Sequence, residues 1–185
     1  MNNDNKEALE NLNIAYLSNS EDLKIKQMAL EISSRYFFSN NDFEEDIVKM
    51  EYYFDVFPFI PDDVRFMRYY TYSYLRVIYD SFRNNKSKKG AAYLSKLEGI
   101  LKEDKSISLN SDFVEAVFLY ISRYYMKHDN INKAISLLNK GIKLAPNSLA
   151  LKETRKDLVR FNNYKPTPIE ETPQISFSYK DHFNG

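Results

Sequence analysis

The sequence has no cysteine and only two histidines in 185 residues. Without cysteine there are no disulfide bonds, no thiolate nucleophiles and no cysteine-ligated metals. The histidines, His128 and His182, are far apart in the sequence, at the end of a predicted helix and in the C-terminal tail. The sequence also lacks a phosphate-binding glycine loop, a nucleophile elbow and a metal-spaced cluster. We therefore expect a protein that is not an enzyme and that has no catalytic, cofactor-binding or metal-binding residues.

The chain also lacks any apolar run that approaches the roughly 18 residues of a membrane-spanning helix. Its first ten residues, MNNDNKEALE, are polar and acidic, unlike a secretory signal. With 43% hydrophobic and 28% charged residues, the composition is that of an ordinary folded protein. We expect a cytoplasmic protein that does not insert into membranes.

The formal net charge is zero, but the two parts of the chain differ in sign. Residues 1–63 carry 14 acidic and 5 basic side chains, whereas residues 64–185 carry 12 acidic and 21 basic ones. This asymmetry arises if neighbouring helices neutralise each other, if a basic surface binds an acidic partner, or if the protein associates head to tail. A nucleic-acid partner is not expected, because a domain that binds nucleic acid usually has a basic excess overall.

Glycine and proline are scarce, with four and six residues, and three of the prolines lie in the last twenty. So few breaks predict long helices joined by short connections. The expected fold is all-α, with a helical domain over residues 1–162 and an extended tail over residues 163–185. Eight helices are predicted, over residues 4–17, 21–38, 42–57, 62–83, 88–103, 111–128, 130–144 and 148–162.

The predicted tail contains Pro166, Pro168 and Pro173, which exclude a regular helix. Its apolar residues nevertheless alternate with polar ones in the stretch ISFSY, residues 175–179, which is unusual for an inert linker. Two alternatives remain open. The tail is either free or loosely draped over its own body, or it docks in extended form into a groove of its own chain or of a partner.

The stretch NKAISLLNKGIKLAPN, residues 132–147, indicates how two helices pack together. Antiparallel helices need small residues where their axes approach and large ones between. Ala134 and Gly141 supply the small residues two turns apart, Leu138 fills the gap, and Pro146 prevents the helix from continuing. On the preceding helix, Ser122 is expected at the close contact.

These residues give the segment 115–148 a resemblance to one tetratricopeptide repeat, a helix–turn–helix unit of 34 residues. Its eight signature positions hold Phe118, Ile121, Ser122, Tyr125, Ala134, Leu138, Gly141 and Pro146.

A second segment, residues 27–60, resembles the repeat more loosely, because Asp46 stands where a small alanine is usual. The helix over residues 148–162 has the pattern of a capping helix. The residues of the second segment that are in register are Leu30, Ser34, Phe37, Met50 and Pro58.

The resemblance implies a right-handed stack of antiparallel helix pairs, an α-solenoid, in which the first helix of each pair lines a concave groove for peptides or partner helices. The sequence lacks the lysine–asparagine set with which some relatives clamp a C-terminal carboxylate. The groove-facing residues implied for the segment 115–148 are Leu119, Arg123, Met126 and Lys127.

The predicted helix 62–83 carries arginines interleaved with tyrosines on one stripe, about 60° wide. Such a stripe suits recognition of carboxylates or phosphates and is typical of protein interfaces. Alternatively, the arginines pair with Glu44, Glu51 and Asp55 of the preceding helix. The stripe consists of Arg65, Arg68, Tyr72, Arg76, Tyr79 and Arg83. The opposite side, expected in the core, consists of Phe66, Tyr70, Tyr74, Val77 and Ile78.

Together these patterns predict a non-catalytic adaptor or scaffold that binds a protein or peptide partner through its concave and Arg/Tyr surfaces. One alternative is a dedicated small chaperone or regulator for one client protein. Another is a structural subunit that self-assembles through its acidic and basic ends and its tail.

Overall fold

The computed structural model of the protein describes residues 3–37, 42–103 and 109–164, and these ranges are all-helical, with no strand in them. A short 3-10 turn, Ile60–Asp62, is the one other regular element in the same ranges. The eight helices are α1 (Asn3–Ser18), α2 (Leu23–Phe37), α3 (Phe43–Val56), α4 (Val64–Arg83), α5 (Ser87–Glu103), α6 (Ser111–Lys127), α7 (Ile131–Leu144) and α8 (Leu149–Asn163).

The all-α prediction is confirmed, and most helix ends differ from the predicted ones by one or two residues. Side chains that precede the helices accept hydrogen bonds from amides of the first turn. Asp22 accepts from the amide of Lys24 at 2.8 Å. Asn110 caps α6 by accepting from the amide of Phe113 at 2.9 Å. The predicted tail lies, from residue 165 onward, outside the described residues.

Most helices pack against their neighbours in the sequence. The pairs α1–α2, α3–α4, α4–α5, α6–α7 and α7–α8 all share substantial contacts, and α4 and α8 each also contact α6. The looser repeat assignment over residues 27–60 requires α2 to pair with α3. Instead, α2 packs chiefly on α1 and α3 packs chiefly on α4.

The pair α6–α7 shows the close packing that its small residues predict. Ala134 and Leu138 are fully buried, and a Cβ added at Gly141 would lie 2.8 Å from the Cβ of Phe118. Ser122 is also fully buried, and its hydroxyl donates to the carbonyl of Phe118 at 2.6 Å. The backbone of α7 therefore rests directly on a side chain of α6.

The side of α4 predicted to be core is buried: Phe66, Tyr70, Tyr74, Val77 and Ile78 are all at most 7% exposed. Because Tyr70 and Tyr74 end in hydroxyl groups, their burial requires hydrogen-bond acceptors. Glu51 on α3 provides one, since its Oε1 accepts from Tyr74 at 2.8 Å and from Tyr70 at 3.0 Å.

Two further carboxylates of α3 also bond to side chains of α4 and α5. Asp46 is only 1% exposed and accepts from the hydroxyl of Tyr69 at 2.7 Å. Glu44 pairs with Lys89 and accepts from the hydroxyl of Tyr93 at 2.9 Å. Part of the acidic excess of residues 1–63 thus bonds to tyrosines and a lysine of the neighbouring helices.

The contacts of α3 predict that stability falls at both ends of the pH range. The bond from Lys89 lowers the pKa of Glu44 below its ordinary 4.5. The stabilisation of the fold by the ionised Glu44 is therefore present above pH 4.5 and is lost as the pH falls. Burial raises the pKa of Tyr74 from 10.0 to about 12, so that contribution is present below pH 10 and is lost as the pH rises through 12.

Urea unfolding followed by circular dichroism across pH would measure both limits. We expect Lys89→Met to reduce the fall in unfolding free energy at low pH (the acid limb), because Glu44 then loses the partner that lowers its pKa. Lys88→Met, which changes an exposed neighbour on the same helix, should leave the acid limb unchanged. Equal acid limbs in the wild type and Lys89→Met would contradict this assignment.

Candidate partner-binding surface

Helices α4 and α6 lie side by side and run in the same direction, although 27 residues separate the end of one from the start of the other. Aromatic pairs at matching positions join them. The rings of Tyr72 and Phe113 are 4.8 Å apart, and those of Tyr79 and Tyr120 are 4.7 Å apart. Tyr79 follows Tyr72 by seven residues, and Tyr120 follows Phe113 by seven residues. The same faces of the two helices therefore stay in contact for two turns.

A cavity of about 680 Å³ opens between the N-terminal half of α4 and the start of α6. That volume is within the usual range for ligand-binding pockets, roughly 300–1,000 Å³. Arg65, Arg68 and Tyr72 line it from α4, while Leu109 and Phe113 line the opposite side. The cavity therefore combines guanidinium groups with aromatic and aliphatic surface and one carboxylate, that of Asp112.

The arginines of the predicted stripe have different environments. Arg68 and Arg83 are exposed. Arg65 is exposed too, but its guanidinium bonds to both carboxylate oxygens of Asp63, which holds the pKa of Asp63 below its usual range. Arg76 lies over the ring of Phe43, 5.4 Å from its centroid, and 3.6 Å from a carboxylate oxygen of Asp80. Arg76 thus contributes to the packing between α3 and α4.

The prediction that this stripe pairs with α3 is wrong for Glu44 and Glu51, because those carboxylates bond to tyrosines and Lys89. The ion pairs of Arg65 and Arg76 are instead with Asp63 and Asp80, which flank or belong to α4 itself. Asp55, the third predicted partner, is exposed. Glu44 and Glu51 of α3 therefore do not form ion pairs with the arginines of α4.

The predicted groove residues on α6 are mostly exposed. Arg123 and Lys127 are exposed and follow Tyr120 by one and two helical turns, so they continue the side of α6 that faces solvent beside α4. Met126 is 37% exposed, whereas Leu119 is half-buried and packs against the core. Leu119 therefore has a packing role besides any contact with a partner.

Residues at the start of α6 line the cavity but were not among the predicted site residues. Leu109, Asn110 and Phe113 form its second wall. The one sequence signal for this wall is the spacing of aromatic residues, because Phe113 and Tyr120 are seven residues apart, as are Tyr72 and Tyr79. That signal becomes useful only once α4 and α6 are known to lie side by side.

Within the described ranges, no group of three or more His, Asp or Glu side chains is placed to hold a metal ion. In the same part of the chain, no helix is both long and apolar enough to cross a membrane. The surface is thus a cavity and two exposed helix faces that carry arginine, lysine, tyrosine and methionine. Such groups bind and orient a partner through hydrogen bonds and ring contacts.

Comparisons of the chain with protein-family models, with curated proteins and with solved structures found no match. The resemblance to a tetratricopeptide repeat therefore stays a prediction that rests on the residues of the segment 115–148.

Proposed function

We propose that the protein is a non-catalytic adaptor or scaffold that binds a protein partner along the exposed faces of α4 and α6. The observation that carries this proposal is the cavity between the two helices, where Arg65, Arg68 and Tyr72 face Phe113. Arginine and tyrosine are the residues that most often dominate binding energy at protein interfaces.

The packing order of the helices supports a tetratricopeptide-like, right-handed stack of helix pairs as the fold behind this surface. In our proposal, α4–α5 and α6–α7 are successive pairs and α8 is the capping helix. The contacts of α6 with α4 and α8, in addition to α7, are those expected when the first helices of successive pairs lie side by side. The groove of such a stack is lined by α4 and α6.

The chemistry of the surface favours a partner segment with carboxylate groups and an apolar side chain. A guanidinium group donates two parallel hydrogen bonds to a carboxylate, and such charge-assisted bonds are among the stronger ones. Arg68, Arg83 and Arg123 are exposed along one side of the two helices, on either side of the aromatic pairs. The apolar side chain would enter the cavity beside Tyr72 and Phe113.

Affinity capture from the protein's own cells, followed by mass spectrometry, tests this proposal. We expect one stoichiometric partner with the wild type and its loss when Arg68, Arg83 and Arg123 are changed to Glu. The matched control changes Lys152, Lys156 and Arg160 to Glu on the exposed side of α8, and should retain the partner. Circular dichroism must show that all variants stay helical. Equal capture by both triple variants would reject the surface.

Self-assembly is a second candidate, because large apolar side chains are exposed on both end helices. Ile14 and Leu17 on α1 are 65% and 75% exposed, and Leu149 and Phe161 on α8 are 70% and 67% exposed. Pairing of such faces would bury apolar area. The same capture distinguishes the candidates. Recovery of the protein alone, with a multimeric mass in light scattering, would favour a structural subunit.

A chaperone or regulator for one client would use the same groove as an adaptor. The composition of the captured complex separates the two roles. A single client that is aggregation-prone without this protein would indicate a chaperone, whereas a complex of two or more other proteins would indicate an adaptor.

A further inference from the structure

The part of the sequence that follows α8 has the chemistry that the cavity would select. Residues 166–179, PTPIEETPQISFSY, contain two carboxylates, Glu170 and Glu171, and no lysine or arginine. Apolar residues then alternate with polar ones at Ile175, Phe177 and Tyr179. An acidic pair followed by alternating apolar side chains matches a surface of arginines beside a partly aromatic cavity.

The end of α8 lies within reach of that surface. Helix α8 starts beside the start of α6, where the hydroxyl of Ser148 donates to Glu115 at 2.6 Å. It ends beside the start of α7, where Asn162 donates to Asn132 at 3.4 Å. Since α7 begins where α6 ends, the tail leaves the body near the C-terminal end of α6.

The cavity lies at the opposite end of α6, which has 17 residues and is therefore about 25 Å long. Residues 165–176 span about 40 Å when extended, so a tail that runs back along α6 can bring Phe177 to the cavity. Along that path the carboxylates of Glu170 and Glu171 would pass the exposed Arg123 and Arg83 before the apolar residues reach Tyr72 and Phe113.

We propose that residues 166–179 bind in cis along α6 and α4, with Phe177 in the cavity, and so compete with the protein partner. Only the competition with the partner rests on the proposed function. Docking of the tail within one chain can be measured without knowing the partner, so a failure of the docking and a failure of the proposed function can be told apart.

The sequence has no tryptophan, so Phe177→Trp places a single emitting indole in the full-length chain. We expect its emission maximum to lie at shorter wavelength than that of a free peptide of residues 165–185 with the same substitution. The shift should be lost when Arg123, which the tail carboxylates would pass, is changed to Glu, and should persist when Lys88, on α5, is changed to Glu. Circular dichroism should report the same helicity in all three chains.

Three results would overturn the inference. An emission maximum equal to that of the free peptide would mean that the tail does not dock. A shift that survives either Arg123→Glu or Tyr72→Ala would place the tail elsewhere on the body. A shift that disappears on dilution would mean that the tail binds a second copy.

Competition with the partner has its own readout. In the full-length chain, changing Glu170 and Glu171 to Lys together with Phe177 to Ala should increase the amount of partner captured. Unchanged capture, with the emission shift present, would show that the tail docks without competing and would leave the proposed function intact.

Discussion

Gly141→Leu should lower the free energy of unfolding by roughly 1–3 kcal/mol, the usual cost of overpacking a core. A Cβ at this position would lie 2.8 Å from the Cβ of Phe118 and 3.2 Å from the Cδ1 of Leu151. Because the Cβ of Phe118 is fixed to its backbone, a rotamer change does not relieve the contact. Helices α6 and α7 would have to separate, and the packing of α8 on α7 would be disturbed as well.

Gly99→Ala is the matched control, because Gly99 also lies inside a helix but a Cβ there meets nothing within 4 Å. Alanine is the better helix former, so this variant should gain about 0.5–1 kcal/mol. Urea unfolding followed by circular dichroism would measure both variants. A Gly141→Leu variant as stable as the wild type would show that the α6–α7 contact is wrongly placed.

Glu51→Ala should lower the free energy of unfolding by roughly 2–6 kcal/mol, because two buried hydroxyl groups lose their acceptor and each costs about 1–3 kcal/mol. Tyr74 is 1% exposed and Tyr70 is 6% exposed, so water does not readily replace the carboxylate. Glu51→Gln should cost less, since its amide oxygen has two lone pairs and can still accept from both hydroxyls, which donate to a single oxygen of Glu51. The measurement is again urea unfolding near neutral pH.

Asp55→Ala is the control for this prediction, because Asp55 lies one turn further along α3 and is exposed. It should change the stability by less than about 0.5 kcal/mol, as most surface substitutions do. In the double variant with Tyr74→Phe, Glu51→Ala should cost less than in the wild type, because one of the two hydroxyls is gone. A cost for Glu51→Ala equal to that for Asp55→Ala would rule out the buried hydrogen bonds.

The helices and the α6–α7 contact could be predicted because both depend on local sequence. Prolines, acidic first turns and apolar periodicity mark where helices begin and end. The small residues Ser122, Ala134 and Gly141 are understandable only if something packs closely on them, and the nearest helix in the sequence is the partner. Short connections keep such pairs together, so sequence order predicts the contact.

The position of α3 could not be predicted in the same way. The sequence offered Glu51 as a partner for the arginines of α4, but it did not reveal which side of α4 this helix would contact. Packing of α3 on the tyrosine side of α4 brings Glu51 to Tyr70 and Tyr74. Buried tyrosine hydroxyls need hydrogen-bond acceptors. That need was the sequence signal that could have favoured Glu51 bonding to the tyrosines over Glu51 pairing with an arginine.

The candidate site was predicted in part. Its arginines and tyrosines on α4 follow from one helix and its period, and Arg68, Tyr72 and Arg83 are exposed as expected. The second wall of the cavity depends on the contact between α4 and α6, across the whole of α5. Nothing local in the sequence specifies that pairing, so Leu109 and Phe113 were missed.

We propose that the exposed faces of α4 and α6 bind the partner. Once the partner is recovered, the most direct test is its dissociation constant, by titration calorimetry, for Arg68→Glu and for Lys156→Glu. Our account predicts at least about tenfold weaker binding for Arg68→Glu, as for a central interface residue, and no change for Lys156→Glu. Equal dissociation constants for the wild type and Arg68→Glu would contradict it.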